Sequence, residues 1–223
     1  MAKKRKKSKR LSVRKQVVEK PALIFSKNTK LQFISYKITD EPLDDTTVPD
    51  EIQDEMQSLF EKVQQSPGSI IKRLEELITK YPKVPKLYNF ISIAYSRLND
   101  TVKSKHYVEE NYLNNPDYLF AKLNYAEIFI IEGNHEKIPE ILDNKFDIKA
   151  LYPERDVFHI SEVIGFMGIA GCYFAMAGYK KQAELFYRSL EDLAPGHPYA
   201  KRIEQYLLMN SVSSGVNKLK GRR

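Results

Sequence analysis

The chain has 223 residues, enough to bury a full hydrophobic core in one large domain or in one domain with tails. Its 42% of hydrophobic and 29% of charged residues are ordinary for a soluble protein. A single cysteine excludes a disulfide bond within one chain. The single cysteine and the lack of a secretory signal pattern together indicate a reducing compartment. We therefore expect a cytoplasmic protein, or a nuclear one if the organism is eukaryotic.

The net charge of +7 is unevenly distributed along the chain. Residues 1–20 carry ten Lys or Arg and one Glu, and residues 211–223 carry four Lys or Arg and no acid. The two ends therefore hold +9 and +4, which leaves −6 on the body between them. Because phosphates attract positive charge, any affinity for RNA or DNA is expected in the tails and not on the mildly acidic body.

The first ten residues form a basic run with no apolar residue after Ala2. Such a run repels itself and cannot bury a core, so we expect a disordered basic arm over 1–20 and a similar tail over 211–223. Three roles are open for the run: a nuclear-localisation cluster, an arm that contacts RNA or DNA phosphates, or a solubilising tail. The basic residues concerned are Lys3, Lys4, Arg5, Lys6, Lys7, Lys9 and Arg10.

Residues 21–50 are expected to be an apolar strap followed by an acidic linker. Two apolar runs within 20–38 flank a turn-like spacer, which is typical of a short hairpin. The segment is also compatible with an extended strap packed on the body, or with a segment that becomes ordered only on a partner. Residues 39–55 are acidic, and Pro42 and Pro49 mark 40–50 as a linker. That linker is either a plain solvated spacer or one that folds back on the basic arm.

Helical periodicity begins after Asp50, which is an N-cap candidate for a helix over 51–64. A turn and a second helix over about 69–81 follow. Between Pro82 and Pro116 the apolar residues recur at helical spacing in two runs, separated by Asn99-Asp100 as turn and N-cap. The interval from one proline to the other equals the period of a helix–turn–helix unit that stacks on copies of itself.

The stretch from Pro82 to Pro116 resembles a tetratricopeptide repeat. The family's positions are occupied by Tyr88, Ile91, Ser92, Tyr95, Ser104 and Val108, with Asn111 where Ala is expected. A copy at about 117–147 fits the frame through Tyr125, Ala126, Phe129 and Gly133. A copy at 164–195 fits it through Ala170, Gly171, Phe174, Gly178, Ala183, Tyr187, Leu190 and Pro195. A looser copy before Pro82 uses Ile70, Leu74 and Leu77, and includes Met56 and Phe60 only with a one-residue shift.

The resemblance implies an all-α, tetratricopeptide-type helical solenoid of about four helix pairs over 51–210; the competing interpretation is a generic helical bundle. Frame counting places an insertion of roughly 11 residues within 147–161, with a short element ended by Pro153 and a long helix from about Asp156. Residues 163–179 carry no charge and approach the length of a membrane span, but Gly171 and Gly178 fall in the repeat frame and favour a buried solenoid helix. An amphipathic capping helix over 199–209 closes the last apolar face. Its expected orientation puts Ile203, Tyr206 and Leu207 inward and Lys201, Arg202 and Glu204 outward.

No pattern typical of catalysis is found. The four histidines pair with no other ligand at metal-binding spacing, and no glycine-rich loop precedes Lys and Ser or Thr, so neither a metal nor a cofactor is predicted. Cys172 lies in an apolar helix, where a buried inert thiol is the common outcome. We therefore expect a protein that is not an enzyme.

In the family that this chain resembles, the first helices of the repeats line a concave groove that holds an extended peptide or a partner helix. The resemblance places there Lys86, Asn89, Ile93, Ser96 and Arg97 of the second repeat, Phe120, Leu123, Glu127 and Ile131 of the third, with Ile130 at the edge, and Gly165, Gly168, Cys172, Ala175 and Met176 of the fourth. Family members that grip chaperone tails use a Lys, Asn and Arg clamp, and most of its positions hold Ile93, Phe120, Gly165 and Ile169 here. That class of adaptor is disfavoured.

The expected function is an adaptor or scaffold that binds a peptide or amphipathic helix of another protein, in a groove that is basic at one end and apolar beyond. Two alternatives leave the groove without an external ligand: residues 20–38 fill it, or the small residues of the fourth repeat are packed shut. A different class of function is contact with nucleic acid through the basic tails. No membrane partner is expected.

Overall fold

The computed structural model describes residues 20–22, 34–43 and 47–220, and the side chains of residues 36–43 and 47–209. Helices dominate it. They are α1 (Asp50–Gln65), α2 (Ile71–Lys80), α3 (Pro85–Arg97), α4 (Thr101–Asn114), α5 (Leu119–Ile131), α6 (Ile138–Ile141), α7 (Ile148–Leu151), α8 (Ile160–Met176), α9 (Lys180–Leu193) and α10 (Pro198–Lys220). Three short strands are β1 (Lys20–Ala22), β2 (Ile34–Thr39) and β3 (Val157–His159). Within the described residues, no helix has the length and apolar composition needed to cross a bilayer.

The repeat is visible in the turns that follow α3, α5 and α8. Asn99, Gly133 and Gly178 stand at these turns with φ of 61°, 75° and 82°, a left-handed conformation that only Gly and Asn adopt readily. The interval from Asn99 to Gly133 is one repeat period, the same as that from Pro82 to Pro116, whereas the interval from Gly133 to Gly178 is longer. The extra length is the insertion expected from frame counting, so the helical solenoid is confirmed.

Proline and capping residues set the helix boundaries. Pro85 and Pro198 occupy the first turns of α3 and α10, where the missing N–H costs nothing. Asp100 caps α4 by accepting a hydrogen bond from the backbone N–H of Lys103 at 3.0 Å, as expected. The expectation that Asp50 caps α1 is wrong by one residue, because the carbonyl of Pro49 already accepts from the N–H of Ile52 and Asp50 is helical.

The third repeat is the irregular one. Its second helix is reduced to a 3₁₀ turn and the single turn α6, because the chain reverses at Asp143 and Asn144, whose φ angles are 51° and 56°. The short element before Pro153 is α7, as predicted. Helix α8 begins at Ile160 and not near Asp156, because residues 157–159 form a strand. With 17 residues it is longer than α3 and α5, with 13 each, so the expected long helix is confirmed.

A small sheet ties the segment before α1 to the insertion. Strand β1 pairs antiparallel with β2, and β2 pairs parallel with β3, with Lys37 opposite Val157. The rings of Tyr36 and Phe158, both buried, meet edge to face with centroids 5.3 Å apart. In the described parts of 20–38, β1 and β2 pair as in a hairpin, and β2 also lies on the body through its pairing with β3. The hairpin and the strap interpretations therefore both apply to this segment. Residues 23–33 lie outside the described residues.

The described residues form two separate apolar cores. The first is built by α1, α2 and α3 around Leu74, Leu87 and Ile91, and the second by α5 to α10 around Leu119, Ile169 and others. Helix α4 contributes to both: Tyr107 stacks on Tyr95 in the first, and Tyr112 stacks on Tyr125 in the second.

Between the two cores lies a seam of amides, defined here as Asn89, Asn111, Asn115 and Asn124. The Asn111 amide donates to the Asn89 side chain at 3.0 Å and to the carbonyl of Pro85 at 3.2 Å, and it accepts from Asn115 at 3.1 Å. Asn124 of α5 donates to the same Asn89 oxygen at 3.1 Å. Asn111 is 1% exposed. The family's small Ala is thus replaced by a buried hydrogen-bonded amide.

The end of the solenoid differs from expectation in two ways. Helix α10 continues to Lys220, whereas we expected the helix to end at residue 209 and a disordered tail to begin at residue 211. No proline interrupts residues 199–220, and extending a formed helix costs far less than starting one. Arg202 was expected to face outward, but it is partly buried and pairs with Glu127 of α5. Ile203 faces inward, as predicted.

Candidate functional site

A cavity of about 710 Å³ lies where α3, α5 and α8 begin. Lys86 comes from the first turn of α3, Phe120 from the first turn of α5, and Ser161 from the first turn of α8. Leu43 of the linker and Val157 of β3 complete an apolar wall. The lining also includes Pro42, Thr47, Asp117, Tyr118, Leu119, Arg155, His159 and Glu162. We call this space the large cavity.

The rim of the large cavity at α8 is held rigid by its own hydrogen bonds. Glu162 accepts from the N–H of His159 at 2.9 Å, and the His159 ring accepts from the N–H of Ser161 at 3.2 Å, which together form a capping box. Arg155 donates to both oxygens of Glu162 at 3.0 and 2.7 Å, and its guanidinium lies 4.4 Å from the ring centre of Phe158. These two charges therefore neutralise each other, and neither is available to a ligand without loss of this pair.

A small cavity of about 220 Å³ adjoins the large one and shares Asp117 and Arg155 with it. Its other lining residues are Lys122, Asp143, Leu151, Tyr152, Pro153 and Glu154. Lys122 is 6% exposed and donates to the carbonyl of Ile141 and to Asp143 at 3.3 and 3.2 Å. Asp117 and Glu154 are exposed, and neither carboxylate accepts a hydrogen bond or joins an ion pair within the described residues.

Tyr152 has the one buried side-chain polar atom that lacks a hydrogen-bond partner within the described residues, its hydroxyl. Burial raises the pKa of Tyr152, and the nearby carboxylates of Asp117 and Asp143 raise it further. The phenol therefore keeps its proton at neutral pH and acts only as a hydrogen-bond donor or acceptor. A buried hydroxyl without a partner costs about 1–3 kcal/mol.

The predicted groove residues divide into four groups: those that line the large cavity, exposed ones, buried ones, and polar ones that bond to other helices. Lys86 and Phe120 line the large cavity. Ile93 and Ile131 are exposed at 40% and 68%, away from it. Leu123 is buried, and a Cβ added at Gly165 would come within 2.9 Å of it, so Leu123 joins α5 to α8 and is not a groove residue. Ile130, expected at the edge, is 1% exposed and belongs to the second core.

The polar members of the predicted groove bond to other parts of the chain. Asn89 is part of the amide seam. Arg97 donates to the backbone and side chain of Gln64 in α1. Glu127 accepts from Arg202 and, at 3.4 Å, from the hydroxyl of Tyr199 in α10. These three side chains therefore connect successive helices, a role that repeat position alone does not reveal.

The fourth repeat is packed shut, as one alternative anticipated. The ring of Tyr199 lies against Gly168, and the side chain of Ile203 lies against Gly171, so both glycines allow α10 to approach α8 closely. Cys172 and Ala175 are also buried. Burial raises the pKa of the Cys172 thiol to about 12, which leaves it protonated and unreactive at neutral pH. Among the described residues, no group of three or more potential ligands that could hold a metal ion is found.

Two parts of the site were missed by sequence reasoning. Leu43 was assigned to a linker, and Val157 to an insertion without a predicted role; both form the apolar wall. The available signal for Leu43 was a large apolar residue between the acidic pairs Asp40-Glu41 and Asp44-Asp45. The basic residues Lys3 to Arg10 lie outside the described residues.

Comparisons with known proteins give one informative match. No family model matches the chain. A protein of Bacillus subtilis (strain 168), described as the TPR repeat-containing protein YvcD, is 31% identical over 101 residues, which cover 45% of this chain. The match spans only 20% of that relative's length. The matched region and the repeated helix pairs agree with the resemblance that the sequence carries, so the described chain is an all-α, tetratricopeptide-like helical repeat.

Proposed function

We propose that this protein is a non-enzymatic adaptor that binds a peptide or amphipathic helix of a partner protein in the large cavity. The observation that carries the proposal is the apolar wall formed by Leu43, Phe120 and Val157, which come from three different parts of the chain and line one side of a cavity of about 710 Å³. Apolar concave surfaces of this size with a few polar groups are typical of binding sites. The tetratricopeptide-like architecture supports a role in protein interaction.

Within this proposal the residues have distinct roles. Phe120 is partly buried, and one side of it faces the cavity, so it supplies the aromatic anchor. Lys86, at the start of α3, gives the cavity a basic end. The capping box and the Arg155–Glu162 pair hold the opposite rim in place. A rigid rim lowers the ordering cost that a bound peptide must overcome.

The proposal predicts that Phe120→Ala weakens partner capture. Loss of an aromatic anchor at an interface typically costs at least about 2 kcal/mol of binding free energy. The measurement is a quantitative affinity purification from the native cell, with a thermal melt of each variant. Tyr179→Ala is the matched control, because Tyr179 is 52% exposed and lies outside both cavities.

The contrary outcome is clear. If Phe120→Ala captures the same proteins in the same amounts as the unmodified chain and Tyr179→Ala, the large cavity is not the binding site. A large drop in melting temperature without loss of capture would assign Phe120 to the core.

A second candidate function, contact with RNA or DNA, rests on the charge of +9 in residues 1–20. If the arm binds phosphates, affinity for a labelled oligonucleotide will fall steeply with salt, because each neutralised phosphate releases counterions. Removal of residues 1–10 will abolish binding and leave the melt unchanged. Binding that persists without these residues, or that ignores salt, contradicts this role.

A further inference from the structure

Two of the cations that line the cavities are already paired with carboxylates of the chain. Arg155, which lines both cavities, donates to the two carboxylate oxygens of Glu162 at 3.0 and 2.7 Å. Lys122, which lines the small cavity, donates to Asp143 at 3.2 Å. In each pair the opposite charges offset one another, so the two pairs add no net charge to the lining.

Two further carboxylates of the lining have no such partner. Asp117 lines both cavities and Glu154 lines the small one. Both are exposed, and within the described residues neither accepts a hydrogen bond or joins an ion pair. The remaining lysine of the lining, Lys86, lines only the large cavity. The joined space is therefore acidic at the small cavity and at its border with the large one.

The apolar wall begins close to this acidic border. Phe120 follows Asp117 by three residues, and three residues span at most roughly 10 Å. Leu43 and Val157 extend the wall and are 39% and 38% exposed, so the wall is open to a ligand. Side chains two residues apart on a strand, or three to four apart on a helix, are roughly 5–7 Å apart, and the stem of Lys or Arg adds reach. One short segment can therefore contact the wall and Asp117 together.

The combination of an apolar wall and free carboxylates selects among the classes of partner. An acidic helix or a phosphate backbone would place like charges beside Asp117 and Glu154, which costs binding free energy. A wholly apolar segment would displace water from these carboxylates without replacing its hydrogen bonds. An ammonium or guanidinium donates charge-assisted hydrogen bonds to them instead. The body between the two tails carries −6, so it also attracts a cationic segment from a distance.

We propose that the ligand of the large cavity is a peptide segment of a partner protein in which an Arg or Lys stands about two to four residues from a large apolar side chain. The apolar side chain packs on Leu43, Phe120 and Val157. The cation bonds to Asp117 and reaches toward Glu154 in the small cavity. This inference rests on the proposed function, because it names the chemistry of the peptide that the large cavity binds.

Selection from a random peptide library displayed on phage tests the ligand chemistry directly. The bait is the full chain, either unmodified or carrying Asp117→Lys/Glu154→Lys, which reverses both charges. The control Asp54→Lys/Glu204→Lys makes the same change at exposed positions outside the cavities. A thermal melt of each protein confirms that it is folded.

The unmodified chain and the control are expected to enrich peptides that carry Lys or Arg close to large apolar residues. The charge-reversed chain is expected to lose the excess of Lys and Arg, because its own lysines repel them. Enriched peptides without an excess of basic residues overturn the proposal. The same excess on the charge-reversed chain overturns it as well.

A titration gives the size of the effect. The probe is a fluorescently labelled synthetic copy of a peptide enriched on the unmodified chain. Its Kd is expected to rise at least about tenfold in Asp117→Lys/Glu154→Lys and less than about twofold in Asp54→Lys/Glu204→Lys, because only the first pair of changes lies at the site. An equal rise in the two variants would assign the effect to net charge and contradict the proposal.

Failure of this inference and failure of the proposed function give different results. If no peptide is enriched, or if Phe120→Ala enriches the same peptides as the unmodified chain, both are wrong. If enrichment depends on Phe120 but the peptides are acidic or uncharged, the adaptor function stands and the basic ligand is wrong. Self-association seen by light scattering and lost in Asp117→Lys/Glu154→Lys, without peptide enrichment, would assign the cavity to a second copy of the chain and overturn the proposal.

Discussion

Small residues decide how the last helices pack. At Gly171 an added Cβ would run into Ile203, and it would come within 3.0 Å of the Cβ of Phe186. Gly168 meets the ring of Tyr199 in the same way. Helix α8 therefore presents two glycines to α10, and the absence of side chains there is what lets the closing helix approach.

Gly171→Leu is expected to overpack this contact and to lower the free energy of unfolding by about 1–3 kcal/mol or more. Urea denaturation measures the change. Gly68→Leu is the matched control, since nothing lies within 4 Å of a Cβ added at Gly68. Equal midpoints for the two variants would mean that α10 does not pack on α8 as described.

At the residue scale, the buried amide of Asn111 is a feature that the repeat pattern does not predict. A repeat frame predicts which positions face inward, and it placed Tyr88, Leu87 and Ile91 correctly in the first core. It does not predict that a neighbouring amide will make an inward-facing Asn111 favourable. That outcome depends on Asn89 and Asn124, whose hydrogen-bond partners in the seam lie on other helices.

At the scale of elements, the insertion is the part that the sequence indicated but did not resolve. Its length followed from frame counting, and a short element in it followed from Pro153; that this element is a helix did not. The strand β3 did not, because its partner β2 lies before the first helix and only tertiary pairing makes either of them a strand. The apolar wall of the large cavity escaped prediction for the same reason, since Leu43 and Val157 meet only in the folded chain.

Lys149 fixes the insertion by donating to the carbonyls of Pro153 and Arg155 at 2.7 and 2.9 Å, and to Asp156 at 2.7 Å. The hydrogen bond from Lys149 holds the pKa of Asp156 below its usual value. A carboxylate whose pKa is lower in the folded state stabilises that state above the unfolded pKa of about 4 and loses this contribution as pH falls. Acidification below about pH 4 is therefore expected to loosen residues 147–159.

Hydrogen exchange of these residues as a function of pH checks this expectation. Asp156→Asn should remove the dependence in this segment, whereas Glu136→Gln, at an exposed position outside the insertion, should leave it in place. An identical pH profile in all three proteins would show that the contact between Lys149 and Asp156 does not hold the insertion.

At the scale of the whole molecule, the repeated helices and the small sheet have different structural roles. The repeated helices supply a framework, and the sheet joins the strap to the insertion. The overall solenoid was predictable, because the repeat period and the turn residues are local features. The position of the site was not, since it is formed where the repeat is interrupted.

The amide seam has a mechanical consequence. Close-packed apolar cores behave as stiff blocks, because any displacement forfeits many contacts at once. Amides can exchange their bonds for bonds to water at a small net cost. We therefore expect the solenoid to bend at α4, between the two apolar cores, because the amide seam there can become hydrated. Of the residues that line the large cavity, Lys86 lies on a helix of the first core and Phe120 on a helix of the second. Bending at α4 would therefore change the distance between these two residues, and with it the width of the large cavity.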